Sequence, residues 1–465
     1  MTGQPNNVWI PDLLFYENRF QTDLAVVCDA HGKIAEIIQS DRAKGGVRLR
    51  NRAVLPGLIN AHSHAFQRVI RGRTEHRSAN QTDSFWTWRE LMYRAANRLS
   101  PDDVYDASRM AFLEMALTGI TTVGEFHYIH NDFNGRPYDD PNLLAKQVVR
   151  AANDVGLRIA LLRVAYARAG YEKETDPLQA RFIEPPDAYL ENVNGLALDL
   201  KKGAGLAWAG VAPHSVRAVP LDYLKRVAEF ASRNNFPIHM HVAEQPAEVK
   251  ACIEEYGRSP VALLETEGLL NSRFTAVHAI HVSAKAIKAF GSSGAGVCAC
   301  PTTERNLGDG VVPVDGYFET GALVSLGTDS QIQIDLLEDA RELEYHLRLQ
   351  RTQRNVLAPV DDTGESALAE RLFQCATSNG ARSLGLDGGS LQPGAAADFF
   401  SLDLGDPSIA GAGVADLLSC VVFSSSRAAV KDVFVAGKRI VEDGRHPAQE
   451  EAIGAFANLQ KRLWV

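Results

Sequence analysis

The chain has 465 residues, 45% of them hydrophobic and 23% charged, the balance of an ordinary globular protein. A formal net charge of -9 argues against nucleic acid or an anionic membrane surface as a partner, so local arginines, not the global field, must capture any anionic substrate. No apolar run approaches the roughly 18 residues of a membrane span, the N-terminal MTGQPNNVWIPDLL lacks the basic-then-apolar order of a secretory leader, and the six cysteines (Cys28, Cys252, Cys298, Cys300, Cys375, Cys420) form no dense framework and read as reduced thiols of a cytoplasmic protein.

In chain order, residues 8–55 hold short strands and a turn, as in LAVVCDAHGKIAEII. From residue 56 the rhythm lengthens. AVLPGLINAH, TTVGEF, LRIALLRVAYA, GLAWAGVAP, FPIHMHVAE, FTAVHAIHV, GAGVCACP and ALVSLGTD are eight apolar runs with strand character. Helical patterns such as LDYLKRVAEFASRNN and VALLETEGLL separate them, and after the eighth run IDLLEDARELEYHLRL places Leu336, Ala340, Leu343 and Leu347 on one stripe. Eight strands alternating with helices over about 275 residues is the count of a (β/α)8 TIM-type barrel, for which roughly 250 residues is typical. The C-terminal LQPGAAADFFSLDL and VKDVFVAGKRIVEDG return to short strands, and EEAIGAFANLQKRLW reads as a closing helix. Neither end has enough strands for a sheet of its own. The α/β chain is therefore predicted to place residues 56–385 in the barrel, and residues 1–55 and 386–465 in one small composite β-sandwich.

Barrel active sites lie at the C-terminal ends of the strands. His62 and His64 close the first run, His241 and Glu244 the fifth, His278 the sixth and Asp329 the eighth. Residues i and i+2 of a strand face the same way. His62 and His64 are thus predicted to point together into the barrel mouth. His239 and His241 share a face, with Ile238, Met240 and Val242 turned to the helices. A lone buried histidine is usually a hydrogen-bonded core residue. Histidines on strands one, five and six together with an aspartate on strand eight exceed that expectation and suit Zn2+ or a similar divalent ion. CAC at 298–300, with nothing like it elsewhere, reads as strand packing.

LPGLINAHSH, HVAE, VHAIH and GTDS on strands one, five, six and eight, with the composite sandwich and QPGAAADFFSLDL, resemble the amidohydrolase superfamily over nearly the whole chain. The resemblance implies hydrolysis of C–N and related bonds at a metal in the barrel mouth. Two-metal members bridge their ions with a modified lysine on strand four; here that strand ends in APHSVRAV. The chain is thus similar to the single-metal deaminase branch, which implies His62, His64, His241 and Asp329 as ligands of one ion, Zn2+ by default, with Fe2+ or Mn2+ also suited. HSHAFQR, DSFWTWRELMYR, GEFHYIHND, PHSVRAV, HVAEQPAEV and TERNLGDG, in that order, resemble the N-formimidoyl-L-glutamate deiminases of histidine degradation. Position by position, this implies substrate contacts from Gln67, Arg89, Tyr128, His214 and Arg217, a proton shuttle in Glu244, His278 beside the reacting carbon, and Asp329 as a ligand that also accepts the proton of the attacking water. It leaves His127, His130 and His239 as structural or supporting residues.

The chain has DSQ where those enzymes are expected to have DSH, so Gln331 bears on the exact substrate only if it lines the site. The physics suits a small-molecule dicarboxylate, because a guanidinium fork matches carboxylate geometry. Arg217 lies just past strand four. Arg89 sits in a long insertion beside Trp86 and Trp88, which would wall the site like a lid. The rival readings are a deaminase of the same superfamily acting on a nucleobase or triazine, a hydrolase of imidazolone or amide rings, and a non-catalytic scaffold. A homodimer is the expected assembly.

Overall fold

The computed structural model describes residues 7–77, 83–174, 176–203, 205–361 and 364–464; the first six residues of the N-terminal segment lie outside it. Eight strands, β1 (Leu58–Ser63), β2 (Ile120–His127), β3 (Arg158–Ala165), β4 (Ala207–Pro213), β5 (Ile238–Val242), β6 (Phe274–His278), β7 (Gly296–Ala299) and β8 (Leu323–Leu326), pair in sequence order and in parallel. Nearly every residue in them is buried, because barrel strands have side chains on one face and helices on the other. The helix after β8, Leu336–Arg351, buries the predicted stripe of Leu336, Ala340, Leu343 and Leu347.

The barrel closes between β8 and β1. Ser63 and Asp329 form a parallel bridge. The Asp329 N–H donates to the His62 carbonyl at 3.1 Å, and the His64 N–H donates to the Asp329 carbonyl at 2.9 Å. One step deeper, Asn60 and Thr328 reciprocate: Asn60 Nδ2 donates to Thr328 Oγ1 at 2.7 Å and accepts the Thr328 N–H at 3.0 Å through Oδ1. Gly327 permits the approach. A Cβ there would lie 2.7 Å from His62 Cβ and 2.8 Å from the His62 carbonyl oxygen.

The opposite end of the barrel is stoppered by the short helix Ser378–Leu384. The Ile59 N–H donates to the Ala376 carbonyl and Asn379 Nδ2 to the Val324 carbonyl, both at 2.8 Å, and Trp208 Nε1 reaches the Leu384 carbonyl at 2.9 Å. His239 spends its Nε2 on the Ser383 carbonyl at 2.9 Å. It faces the barrel interior as its alternation with His241 requires, and works at the floor.

Strands from both termini build the second unit. The N-terminal strands Asn7–Tyr16, Leu24–Cys28, Ile34–Gln39 and Val47–Pro56 join the C-terminal strands Phe399–Asp403, Val430–Val435 and Lys438–Val441 in one hydrogen-bonded sheet. The seam is the antiparallel pairing of Phe399 with Pro56 and Phe400 with Leu55. Trp9, Leu14, Val26, Val54, Phe399 and Phe434 form its separate core. The closing helix, Gln449–Trp464, packs beside the barrel and holds the segment after His64 through Gln460 and Trp464, both donating to the Val69 carbonyl. Among the described residues no helix is long and apolar enough to cross a membrane.

Gly327→Ala forces a methyl into the His62 backbone and is expected to destabilise the fold by about 1–3 kcal/mol, the usual effect of overpacking. Gly454→Ala, on the exposed face of the closing helix with nothing within 4 Å, is expected to stabilise by about 0.4–1 kcal/mol. Urea midpoints of the two variants on opposite sides of the parent would bear this out; coincident midpoints would not.

Candidate active site

At the end of β1, His62 and His64 converge in the barrel mouth, while the Ser63 hydroxyl and the Ala65 N–H face away from it toward β2. Buried Glu125 on β2 clamps the outward pair: Ser63 Oγ donates to Oε2 at 2.5 Å and the Ala65 N–H to Oε1 at 2.8 Å. Burial pushes the Glu125 carboxyl up to about 8, against both hydrogen bonds. Gln331 completes the support. Its Nε2 donates to Ser63 Oγ at 2.8 Å and to the Asp329 carbonyl at 3.0 Å, and its Oε1 accepts from Thr328 Oγ1 at 2.9 Å. The DSQ position therefore faces the back of the His62–Asp329 junction and does not line the cavity.

His62, His64, His241 and Asp329 bring one donor atom each within 4.8 Å of one another. His64 Nδ1 donates to the Phe126 carbonyl at 2.9 Å, and His241 Nδ1 to the His214 carbonyl at 3.1 Å. Both Nε2 atoms therefore carry a bare lone pair, and they face each other at 3.4 Å. No proton is available to share, so the pair is repulsive unless a cation lies between. His62 Nε2 is 3.2 Å from His64 Nε2, and Asp329 Oδ1 is 3.3 and 3.2 Å from the two. Donors about 2.0–2.1 Å from one ion stand about 3.3 Å apart, and these four separations are of that size, so the donor set fits a small divalent ion. Burial pulls His62 down to about 3, lowers His64, and takes His241 well below its ordinary range. All three stay neutral, as ligation requires. Burial alone would raise Asp329, but the bond to His62 and the surrounding imidazoles hold it below the usual carboxylate range.

The chain turns sharply at the C-terminal ends of β5, β6 and β8. Ala243, His278 and Asp329 all have positive φ, at 53°, 68° and 48°. Such conformations cost about 1–3 kcal/mol each and persist where surroundings over-determine them. They bring Glu244 Oε1 and Asp329 Oδ2 each to 3.8 Å from His278 Nε2. Burial pushes Glu244 up to about 7. For His278 burial opposes the charge, but Glu244, Glu304 and Asp329 outweigh it and raise the imidazole well above its ordinary value. Glu304 is the group that the sequence reading missed: its Oε1 receives His278 Nδ1 at 3.2 Å and the Cys300 N–H at 2.9 Å. Its only signal was its place in TERNLGDG.

A narrow cavity opens beside these groups. Gln67, Arg89, Tyr128, His214 and Arg217 line it together with Glu244, His278 and Asp329, and Phe85, Trp86 and Trp88 of the helix Phe85–Ala96 roof it. The Arg89 guanidinium lies 4.4 Å over the Trp86 ring, and its Nη1 is buried without a partner among the described residues. Arg217 Nη1 donates to the Ala169 carbonyl at 3.0 Å. Gln67 Nε2 donates to Tyr128 Oη at 3.0 Å and leaves Oε1 unpartnered. Tyr93, one helical turn past Arg89, also lines the cavity and meets Tyr166 at 3.4 Å, Oη to Oη; the i, i+4 spacing was its available signal. His127 and His130 do not line the cavity. His130 Nε2 donates to the Val164 carbonyl at 2.9 Å. Cys298 and Cys300 pack in the barrel interior with Ala61 and Val277, and burial raises the Cys300 thiol well above its ordinary value.

Known proteins resemble this chain over most of its length. Residues 53–440 match the profile of the amidohydrolase family. The formimidoylglutamate deiminase of Pseudomonas aeruginosa is 39% identical over 435 residues, 93% of this chain and 94% of the relative. The 5-methylthioadenosine/S-adenosylhomocysteine deaminase of Pyrococcus abyssi is 28% identical over 391 residues, 84% of this chain and 82% of the relative. The crystal structure of an amidohydrolase from Brucella melitensis superposes with a TM-score of 0.91 at 34% identity, covering 99% of this chain and 100% of that one.

The donor set predicts one tightly held divalent ion per chain. Elemental analysis should find a ratio near one for the parent and near zero for His64→Ala. Two ions per active chain, or a variant that keeps its metal, would contradict it.

Proposed function

The chain belongs to the amidohydrolase family, and from that premise we propose that it hydrolyses N-formimidoyl-L-glutamate to N-formyl-L-glutamate and ammonia at one divalent ion held by His62, His64, His241 and Asp329. The observation that carries the proposal is a pair of half-buried arginines, Arg89 and Arg217, lining the cavity beside that donor set in a chain of net charge -9. A substrate with two carboxylates answers both arginines. A nucleobase answers neither, and the relative that deaminates adenosine derivatives is the more distant, at 28% identity against 39%. Three imidazoles and a carboxylate converging on one point make zinc the proposed ion.

When bound, a divalent ion in such a site lowers the pKa of water from 15.7 to about 7 and so supplies the nucleophile at neutral pH. The chain's own residues do the rest. Asp329 accepts the proton that the water loses. Glu244, pushed up to about 7, both takes and gives a proton near neutral pH, the condition for general acid–base work. It delivers that proton to the terminal nitrogen of the formimidoyl group. His278, held by Glu304, donates toward the oxygen on which charge develops. The water oxygen becomes the formyl oxygen, the two water protons pass through Asp329 and Glu244 to the terminal nitrogen, the carbon–nitrogen bond to that nitrogen breaks, and it leaves with the positive charge as ammonium, the protonated form of ammonia. Arg217 and Arg89 hold the carboxylates, with Tyr128, His214 and Gln67 completing the grip, while the Trp86 and Trp88 wall keeps bulk water out.

Ammonia release measured side by side on formimidoylglutamate and 5-methylthioadenosine tests the substrate class; preference for the nucleoside would replace the dicarboxylate reading with the general deaminase one. Glu244→Gln is expected to keep its metal and lose about 10²–10⁴-fold in turnover; a variant within tenfold of the parent would remove Glu244 from the chemistry. Arg217→Met is expected to lower kcat/KM for formimidoylglutamate by roughly 30- to several-thousand-fold. That is the effect of about 2–5 kcal/mol when one partner of a buried charge pair is removed. A carboxylate-free formimidoyl compound should be turned over equally by variant and parent.

A further inference from the structure

Glu248 lines the same cavity, and the chemistry above does not use it. It stands in the first turn of the helix Pro246–Tyr256 and is 6% exposed. Its two carboxylate oxygens have different fates. Oε2 accepts the backbone N–H of Glu244 at 3.2 Å. Oε1 is buried with no hydrogen-bond partner among the described residues. Capping the helix start explains the first oxygen, since acidic groups are favoured there. It does not explain the second. A buried acceptor without a partner costs about 1–3 kcal/mol, more when charged, and native structures leave few of them. On a side chain that lines a cavity beside the reacting groups, it has the pattern of an atom whose partner is a ligand.

Resting on the function proposed above, we infer that Glu248 is a specificity-determining residue, whose free oxygen accepts an N–H of the cationic formimidoyl group and thereby favours substrate over product. The charges of the two molecules carry the inference. The substrate has two carboxylates and one amidinium. The product has the same two carboxylates and a neutral formamide, because the positive charge departs with the nitrogen. Arg89 and Arg217 grip the carboxylates of both alike and give no preference. Only an acceptor facing the amidinium distinguishes them. Glu244 changes its protonation during the reaction, whereas Glu248 is fixed in place by its bond to the Glu244 backbone. Burial raises its carboxyl above the ordinary value, while the charges of Arg217 and His278 and the backbone bond from Glu244 act to keep it ionised.

The test is Glu248→Gln, which keeps the size of the side chain and an oxygen for the Glu244 N–H but removes the charge. Two constants are read on the metal-loaded protein: KM for formimidoylglutamate, and the inhibition constant of N-formylglutamate. KM is expected to rise roughly ten- to a hundredfold, the range of one hydrogen bond to a charged group. The product constant should stay the same or fall, so that the preference for substrate collapses by tenfold or more. If both constants move by the same factor, or neither moves, Glu248 is a helix cap and the inference is wrong. If the glutamine variant does not fold by circular dichroism, Glu248→Asp, which withdraws the carboxylate by one methylene, is measured in the same way, with the same two outcomes. The parent is assayed first. A parent inactive on formimidoylglutamate would overturn the proposed function and this inference with it, whereas an active parent with an unchanged ratio overturns the inference alone.

Discussion

Two backbone hydrogen bonds, from the Asp329 N–H to the His62 carbonyl and from the His64 N–H to the Asp329 carbonyl, close the barrel and in the same stroke set three of the four metal-type donors. Fold and site are therefore one construction. A slip of one residue in the pairing of β1 with the end of β8 would turn both histidines outward, because side chains alternate along a strand. Three features fix the register. Gly327 lets the backbones meet, since any side chain there would strike His62. Asn60 and Thr328 lock the step below. Gln331 and Glu125 hold Ser63 from behind. The left-handed backbone at Asp329 and Gln331 is stable because these contacts leave the chain no alternative.

The electrostatics follow from that closure. Burial keeps His62, His64 and His241 neutral, and the outward nitrogens of His64 and His241 are committed to the Phe126 and His214 carbonyls, which leaves their inward nitrogens bare. Such outer hydrogen bonds orient ligand rings and raise their basicity. Around this neutral set the charged residues divide by role. Acidic Glu244 faces His278 Nε2 on the cavity side, where protons must move, and Glu304 holds Nδ1 from behind. Cationic Arg89 and Arg217 line the side where a substrate tail would lie. The chain's overall negative charge does not prevent anion binding, because both guanidiniums sit in a low-dielectric cavity where a nearby partner outweighs distant charges.

Much of this was legible in the sequence, for physical reasons that differ from part to part. The eight strands could be read because each is an unbroken apolar run ended by polar, coordinating residues, and His62 and His64 announced their shared face by a spacing of two. The stripe from Leu336 to Leu347 announced its helix by period. The composite sheet could be read because neither terminus could pair its strands alone. Other parts depend on contacts between segments far apart, which no local pattern carries. Glu304 meets His278 only after β6 and β7 are side by side. Gln331 in DSQ carried no sign of whether it lines the site; its hydrogen bonds to Ser63 and the Asp329 carbonyl hold it behind the donor set. His239 shares a face with His241 but meets the floor helix Ser378–Leu384, whose position no periodicity foretold. Glu248, one turn past Glu244, reads in sequence as an ordinary helix-start acid.

The central claim, that barrel closure and the metal-type donor set are one structure, is tested most directly by hydrogen–deuterium exchange of the backbone amides, with the protein stripped of metal and then reloaded with one equivalent of zinc. The His64 and Asp329 amides should exchange much more slowly after loading, while amides of the composite sheet, such as Phe399 and Phe434, should keep their rates. Equal rates at His64 and Asp329 in both states would mean that the barrel closes without reference to the donors and would contradict the account.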